Sequence, residues 1–244
     1  MLEPQKINTV VFDLDDTLRH SIPDGNAHFV ARARELGLSI DDEAHRAARR
    51  WVHQYWANSP ELLEDVQSFE GMEDAFWVNY GRRHLLALGR SEQDADAHAA
   101  QLQAYMREHY DPADELKEGA RETLRALKAE GYQVGLLTNR SRPIYEVMHK
   151  LDLDLDLDFF LAAAQLGAFK PQPQIFTAML DLLQLQPEQV GYVGDTSHAD
   201  ISGAQRAGLS PVLIDPHGLY PEVDVPVIQA VPEVLDLLQV EPVS

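Results

Sequence analysis

VVFDLDDTL, residues 10–18, joins a short apolar run to a cluster of acidic side chains. The apolar residues predict a buried strand over 7–13. Asp13 and Asp15 follow two residues apart, and Thr17 stands two further on. A loop of this kind brings two carboxylates together, so that one can attack an electrophile while the other transfers a proton. A lone DxDxT after a strand is more often a solvated turn, so the rest of the chain has to decide.

The composition of the chain limits the kinds of molecule that this protein is expected to bind. The chain has 244 residues, of which 45% are hydrophobic, and carries 20 basic against 40 acidic residues for a formal charge of −20. Such a surface repels nucleic-acid backbones and anionic membranes, so we expect neither as a partner. An anionic substrate would need a local island of cations within this negative field.

The chain has no cysteine, which excludes disulfides, thiolate metal sites and a cysteine nucleophile. No apolar run approaches the length that a bilayer requires, and no signal peptide is recognisable. These features predict a cytoplasmic protein.

The two parts of the chain differ in periodicity. Between about 24 and 110, apolar residues recur every three or four positions, which indicates helices. From 113 onward, strand and helix patterns alternate, which is typical of a parallel sheet with helices on both faces. We therefore predict an α/β fold, a doubly wound parallel sheet built from 1–20 and 112–244, with an all-helical cap inserted at 21–111.

The expected elements follow from the same patterns. Helices are predicted at 27–36, 43–56, 72–88, 93–109, 118–130, from 142–143, from 173, at 198–207 and at 232–238. Strands are predicted after the first one at 133–137, 159–163, 190–193, 211–214 and 225–228.

Polar residues stand just beyond three predicted strands: Asp13, Thr138 and Asp195. Ligands of open parallel sheets bind beyond the carboxyl ends of the strands, so we expect these residues to converge on one site. Thr138 is followed by Asn139 and Arg140, and a hydroxyl with exposed backbone N–H groups ahead of a helix suits a phosphate.

Two further pieces complete the pattern. Lys170, in AFKPQPQIF, is a lone cation ahead of a predicted helix. The stretch from Gly194 to Asp200 places Asp195 at a strand end and a second carboxylate five residues later.

The order DxDxT, Thr, Lys-Pro, GDxxxxD resembles the haloacid dehalogenase superfamily, and the helical insertion resembles that of its helical-cap members. The resemblance covers nearly the whole chain and implies a Rossmann-like core, Mg²⁺ and a phosphoaspartyl mechanism. Asp13 would be the nucleophile, and Asp15 the acid that protonates the leaving alcohol and then activates water. That role needs a protonated Asp15, which we expect nearby carboxylates and the incoming phosphate to favour.

The resemblance also implies roles for the other motif residues. Thr138 and Lys170 would hold the phosphoryl group, with Thr17, Asn139 and Arg140 as further substrate-binding candidates. The candidates for the metal site are Asp13, the backbone carbonyl of Asp15, Asp195 and Asp200, the last acting more by orienting its neighbours. Gln172 departs from the family pattern, in which an acidic residue often follows Lys-Pro, and that position can help to orient Lys170.

Several activities share this fold. Haloacid dehalogenases lack the second aspartate of DxDxT, and phosphonate-cleaving relatives need a cap lysine, whereas 21–111 contains none. We therefore predict a phosphatase acting on a small soluble phosphomonoester such as phosphoglycolate, a sugar phosphate or a nucleoside monophosphate. A phosphomutase and a non-catalytic regulatory protein stay open, as do a monomer and a homodimer. Arg19 and His20 are expected to face the cap or solvent.

Overall fold

The computed structural model describes residues 4–141 and 144–241. The chain falls into two compact units, one formed by Met1–His20 with Asp114–Ser244 and the other by Ser21–Ala113. We call them the core unit and the helical unit.

The strands of the described residues are β1 Thr9–Phe12, β2 Arg19–Ile22, β3 Ala113–Leu116, β4 Gln133–Thr138, β5 Phe159–Ala162, β6 Val190–Gly194, β7 Ser210–Ile214 and β8 Val227–Ile228. The helices are α1 Gly25–Glu35, α2 Asp42–Trp56, α3 Pro60–Ser68, α4 Glu73–Ala87, α5 Glu92–His109, α6 Ala120–Ala129, α7 Tyr145–Lys150, α8 Ala163–Leu166, α9 Pro173–Leu183, α10 Ser202–Arg206 and α11 Glu233–Leu238.

The core unit is built on one parallel sheet in the order β5-β4-β1-β6-β7-β8. β1 lies between β4 and β6, with Phe12 in register with Leu136 and Val193. The carboxyl ends of these three strands therefore lie side by side at one edge. The predicted α/β fold with a doubly wound parallel sheet is confirmed.

Helices cover both faces of this sheet, which explains why its central strands are apolar on both sides. One apolar cluster packs α6 and α11 against the sheet, and a second packs α9 against it. Gly135 in β4 leaves room for the ring of Phe159, since a Cβ at this glycine would lie 2.1 Å from a ring carbon. Burial of each large aliphatic side chain in these layers contributes roughly 1.5–3 kcal/mol.

The helical unit is formed by α1 to α5 around an apolar core of its own. Four of these helices begin with a side chain that accepts a hydrogen bond from the first turn, namely Asp24, Asp41, Ser59 and Ser91. Each such cap stabilises a helix by about 1 kcal/mol. The four helices predicted for this stretch are therefore found, with ends shifted by a few residues.

The sequence analysis missed several short elements. It predicted no helix between 56 and 72, but Ser59 caps α3 and Pro60 occupies its first turn. It also missed α8 and the strands β2 and β3, which form a separate two-stranded sheet. The helix expected from 142–143 begins at Tyr145, and Arg142 and Pro143 lie outside the described residues.

Candidate active site

The loop after β1 is a tight turn that fixes both motif aspartates. Asp16 adopts the left-handed conformation with φ 60°, and its N–H donates to the carbonyl of Arg19 at 2.8 Å. Leu14 O accepts from the N–H groups of Leu18 and Arg19 at 3.0 Å. Upstream of this turn, the N–H of Asp13 continues the β1 ladder onto Val193 O at 2.8 Å.

Lys170 lies at the centre of the site and is buried. Its Nζ donates to Asp13 Oδ1 at 2.5 Å and to Asp200 Oδ1 at 2.7 Å. Two further oxygens lie within reach, Tyr192 Oη at 3.0 Å and Leu137 O at 3.3 Å. A single buried cation thus connects the aspartates of the first and fourth motifs.

The backbone of Lys170 is fixed by Asn139. The Asn139 amide donates to Lys170 O at 2.9 Å and accepts from Lys170 N at 2.6 Å. Arg206 donates to the next carbonyl, that of Pro171, at 2.6 Å. Both ends of the Asn139 amide are therefore engaged with the lysine backbone, although the sequence analysis placed this side chain on the substrate.

Asp13, Asp195 and Asp200 form a buried acidic cluster whose ligand atoms all lie within 4.8 Å of one another. Thr17 Oγ1 donates to Asp195 Oδ1 at 3.3 Å. Asp200 accepts from the N–H of Thr196 at 3.0 Å as well as from Lys170. The carboxylate oxygens of these three aspartates are hard ligands of the kind that Mg²⁺ prefers.

The position before Asp195 has to be glycine. A Cβ on Gly194 would lie 2.4 Å from Asp200 Cγ, closer than any contact the side chain could tolerate. The glycine of the GDxxxxD motif therefore has a steric reason, because the second carboxylate folds back over it.

The acidic cluster holds more negative charge than Lys170 neutralises. Burial, together with the charges of Asp200 and Asp15, outweighs Lys170 and raises the pKa of Asp13 from 3.8 to about 7. Burial, Asp200 and Asp13 raise the pKa of Asp195 well above its ordinary value. Despite burial, Asp13 and Asp200 hold the pKa of Lys170 well above the usual value. A site with this excess of negative charge fits a divalent cation.

Asp15 differs from the sequence expectation. Its side chain is 37% exposed, and both of its oxygens face Arg140, at 2.9 Å from Nε and 2.7 Å from Nη2. Arg19 Nε donates to Oδ1 at 2.6 Å and Arg19 Nη1 to Asp114 at 2.7 Å. Burial works against the charged form, but Arg140 and Arg19 lower the pKa of Asp15 below its ordinary value. Nearby carboxylates therefore do not keep Asp15 protonated here, because two guanidinium groups hold it as a carboxylate. That an incoming phosphate would favour the protonated form stays a prediction.

The structure thus brings most of the proposed residues into one site. One set of contacts links Asp13, Lys170, Asp195, Asp200, Thr17 and Asn139. Asp15 and Arg140 form a separate ion pair. Thr138 is buried at the end of β4, next to Asn139. Sequence reasoning missed two contacts, that of Tyr192 with Lys170 and that of Arg19 with Asp15. The only signal for Tyr192 was a polar side chain within an apolar strand.

The sequence model of the haloacid dehalogenase-like hydrolases matches residues 7–208 of this chain. The match spans every motif described above. The chain belongs to the haloacid dehalogenase-like hydrolases. The roles of the buried Lys170 and of the carboxylates around it stay predictions.

Individual relatives resemble this hydrolase over nearly its whole length. It is 30% identical over 254 aligned positions to the glyceraldehyde 3-phosphate phosphatase of Pyrococcus furiosus, covering 97% of this chain and 95% of the relative. It is 31% identical to the pyrophosphatase PpaX of Bacillus mycoides, covering 86% and 84%. A crystal structure of a "predicted phosphoglycolate phosphatase" from Haemophilus somnus superposes with a TM-score of 0.59 at 22% identity, covering 95% and 98%, and supports the fold alone.

Proposed function

We propose that this hydrolase is a phosphatase that cleaves a small soluble phosphomonoester with the help of Mg²⁺, through a phosphoryl group carried on Asp13. The observation that carries the proposal is the buried Lys170 ammonium 2.5 Å from the Asp13 carboxylate, beside Asp195 at the same sheet edge. Two curated relatives, which are 30% and 31% identical to this chain, bear the names of phosphatases, and this supports the same class of reaction.

Asp13 is the proposed nucleophile. One carboxylate oxygen attacks phosphorus, so that an Asp13–phosphorus bond forms while the bond to the ester oxygen breaks. Lys170 lies 2.5 Å from Asp13 Oδ1 and would stabilise both the attacking carboxylate and the charge on the phosphoryl oxygens. Thr138 and the N–H groups that follow it would hold the same oxygens.

Asp15 is the proposed acid and base. It would give a proton to the departing ester oxygen and take one from the water that later attacks the phosphorylated Asp13, which restores the starting state. In the structure Arg140 and Arg19 hold Asp15 as a carboxylate, so these ion pairs have to loosen before it can donate. We propose that an anionic group of the substrate draws Arg140 away, which would make this arginine a substrate contact.

The residues that would hold Mg²⁺ are Asp13, Asp195 and the backbone carbonyl of Asp15. A bound divalent cation supplies positive charge that weakens the repulsion between the carboxylate and the anionic phosphate. Asp200 is already bonded to Lys170 and to the N–H of Thr196, so its proposed part is to orient Lys170 and the loop that carries Asp195.

The helical unit is the proposed cap, which would select the leaving group and exclude water. Phosphoglycolate, sugar phosphates and nucleoside monophosphates are the proposed substrates, and the relatives named above act on glyceraldehyde 3-phosphate and pyrophosphate. No helix of the described residues is long and apolar enough to cross a bilayer. A cytoplasmic location and a monomeric or homodimeric state stay predictions.

The test is phosphate release from a broad panel of phosphomonoesters, with Mg²⁺ and with excess chelator, beside the Asp13→Asn variant. We expect release that requires both the metal and Asp13. Release that persists with chelator or in Asp13→Asn would contradict the proposal. Turnover that depends on a bisphosphate activator, without net phosphate release, would point to a phosphomutase instead.

A further inference from the structure

Tyr192 lies in the middle of β6, the strand next to β1, and is fully buried. Its ring packs edge-on against Phe176, with centroids 5.2 Å apart, inside the apolar cluster under α9. A phenylalanine would fill this layer without a polar atom. A buried hydroxyl destabilises the fold unless it is hydrogen-bonded, so the contacts of the Tyr192 hydroxyl explain why it is there.

The hydroxyl reaches the proposed catalytic lysine. Lys170 Nζ donates to Tyr192 Oη at 3.0 Å. The same oxygen lies 3.1 Å from Asp200 Oδ1 and 3.2 Å from Leu137 O, either of which can accept the phenolic proton. Burial raises the pKa of Tyr192 well above its usual value, although Lys170 opposes this, so the phenol keeps its proton.

A count of donors shows what this hydroxyl adds. An ammonium has three N–H groups, and two of them go to the carboxylates of Asp13 and Asp200. For the third, the acceptors within reach among the described residues are neutral, namely Tyr192 Oη and Leu137 O. Tyr192 in turn can donate to Asp200, which closes a ring of hydrogen bonds around Lys170 Nζ.

We infer that Tyr192 is a positioning residue whose hydroxyl holds the Lys170 ammonium in place against Asp13. Without the hydroxyl, the third N–H keeps only the longer bond to Leu137 O, and the ammonium is free to turn further onto Asp200. The consequence for catalysis rests on the proposed function, because it needs Lys170 to act on the phosphoryl transfer. The effect of Tyr192 on the position of the Lys170 ammonium does not depend on the proposed function.

The kinetic test compares Tyr192→Phe with Tyr132→Phe, a control at the start of β4 that packs against the other face of the sheet. We expect Tyr192→Phe to lower kcat about 10-fold with KM within about twofold, because Lys170 acts mainly in the transition state. The control should keep both constants. An unchanged kcat, or a loss of folded protein with normal turnover per folded molecule, would overturn the inference.

A second readout does not require turnover. The chain has five lysines, and Lys170 is the buried one among them, so ¹⁵N-labelled side-chain ammonium spectra can resolve it, with Lys170→Met for assignment. We expect a slowly exchanging signal that moves or broadens in Tyr192→Phe while the other lysine signals stay. A Lys170 signal that is absent from the wild type, or that ignores the substitution, contradicts the inference. A shifted signal in a protein that releases no phosphate would leave the positioning intact and defeat only the proposed function.

Discussion

The core unit and the helical unit both bury polar side chains, but they do so in different ways. In the core unit, Lys170 contacts two carboxylates, and burial together with the neighbouring carboxylates raises the pKa values of Asp13 and Asp195. In the helical unit, the buried polar residues are Asp65, which is paired, and His84, which is uncharged at neutral pH. Asp65 accepts from a tyrosine and an arginine, and His84 stacks on aromatic rings.

His84 shows how the helical unit treats a titratable group. It is almost wholly buried, stacks on Phe29 with centroids 4.4 Å apart, and lies 3.4 Å from the amide of Asn26. Burial, with the charges of His45 and Arg49, lowers its pKa from 6.5 to about 3. The ring is therefore neutral at physiological pH, and its burial disfavours only the protonated form.

The difference between the units separates stability from function. Neutral or paired groups add to a helical interior without large cost, whereas gathered like charges destabilise a fold unless a ligand neutralises them. The cluster at the sheet edge fits the proposed binding of a cation and an anionic substrate, and packing explains the aromatic interior of the helical unit. The following predictions test this contrast.

The largest effect is expected for Asp13→Asn. We predict that phosphate release falls by more than about 10³-fold, because the nucleophile is lost. The metal-free protein should be no less stable at pH 8, since one of the crowded carboxylates is removed. Activity and thermal unfolding are measured on the same preparation. If the variant lost activity only because it unfolds, Asp13 would serve stability, and the contrast between the two units would be wrong.

Lys170→Met should be the most damaging change to stability. It leaves Asp13, Asp195 and Asp200 buried without their cation, which we expect to cost about 3–5 kcal/mol at pH 8 and less at pH 5, where the carboxylates can protonate. Urea unfolding at the two pH values measures this. Lys150→Met is the control, because that lysine is 63% exposed. Equal losses in the two variants would contradict the account.

Mg²⁺ should stabilise the protein more at high pH. The pKa of Asp13 is about 7 in the metal-free fold against 3.8 ordinarily, so the native state holds a proton that the unfolded chain releases between these values. The free energy of unfolding contributed by Asp13 therefore falls as pH rises from about 4 to 7. Metal binding requires the carboxylate, so excess Mg²⁺ should raise Tm by about 3–6 °C at pH 8 and by less than half of that at pH 5.

Asp13→Asn is the matched control for this experiment. It removes a proposed ligand and the titrating group together. We therefore expect both the Tm shift caused by Mg²⁺ and the pH dependence of that shift to be smaller in this variant. A Tm shift that is the same at both pH values in the wild type would argue against metal at these carboxylates.

The smallest effect is expected in the helical unit. The folded pKa of His84 lies below its unfolded value, so its contribution to stability is complete above about pH 6.5 and is lost as pH falls towards 3. At pH 5 this loss is about 2 kcal/mol. Hydrogen exchange of α4 at pH 5 and 7.5 should show it in the wild type and not in His84→Phe. Equal pH dependence in both proteins would mean that the ring is not held neutral.

The sequence predicted those parts of the molecule that depend on order along the chain. The strand-end positions of Asp13, Thr138 and Asp195 follow from alternation of strands and helices, because parallel strands share one carboxyl edge. The short elements α3 and β2 did not follow, since they have nine and four residues, too few for a repeating pattern to be recognised.

Side-chain direction was the part that the sequence could not give. Whether Asn139 faces a substrate or the backbone of Lys170 depends on loop conformation, and whether Arg19 turns to solvent or onto Asp15 depends on the turn at Asp16. Tyr192 meets Lys170 only because β6 lies beside β1. The contacts of Asn139 and Tyr192 with Lys170 join residues that are distant in sequence, whereas the contact of Arg19 with Asp15 depends on the local turn.

The central claim, that Asp13 carries the phosphoryl group, can be tested by reductive trapping. The enzyme would be treated with borohydride during turnover of the substrate that it hydrolyses fastest, and the peptide containing residues 10–18 examined by mass spectrometry. The account predicts conversion of Asp13 to homoserine, dependent on substrate and absent from Asp13→Asn. Steady hydrolysis with Asp13 unmodified, or trapping at another carboxylate, would contradict it.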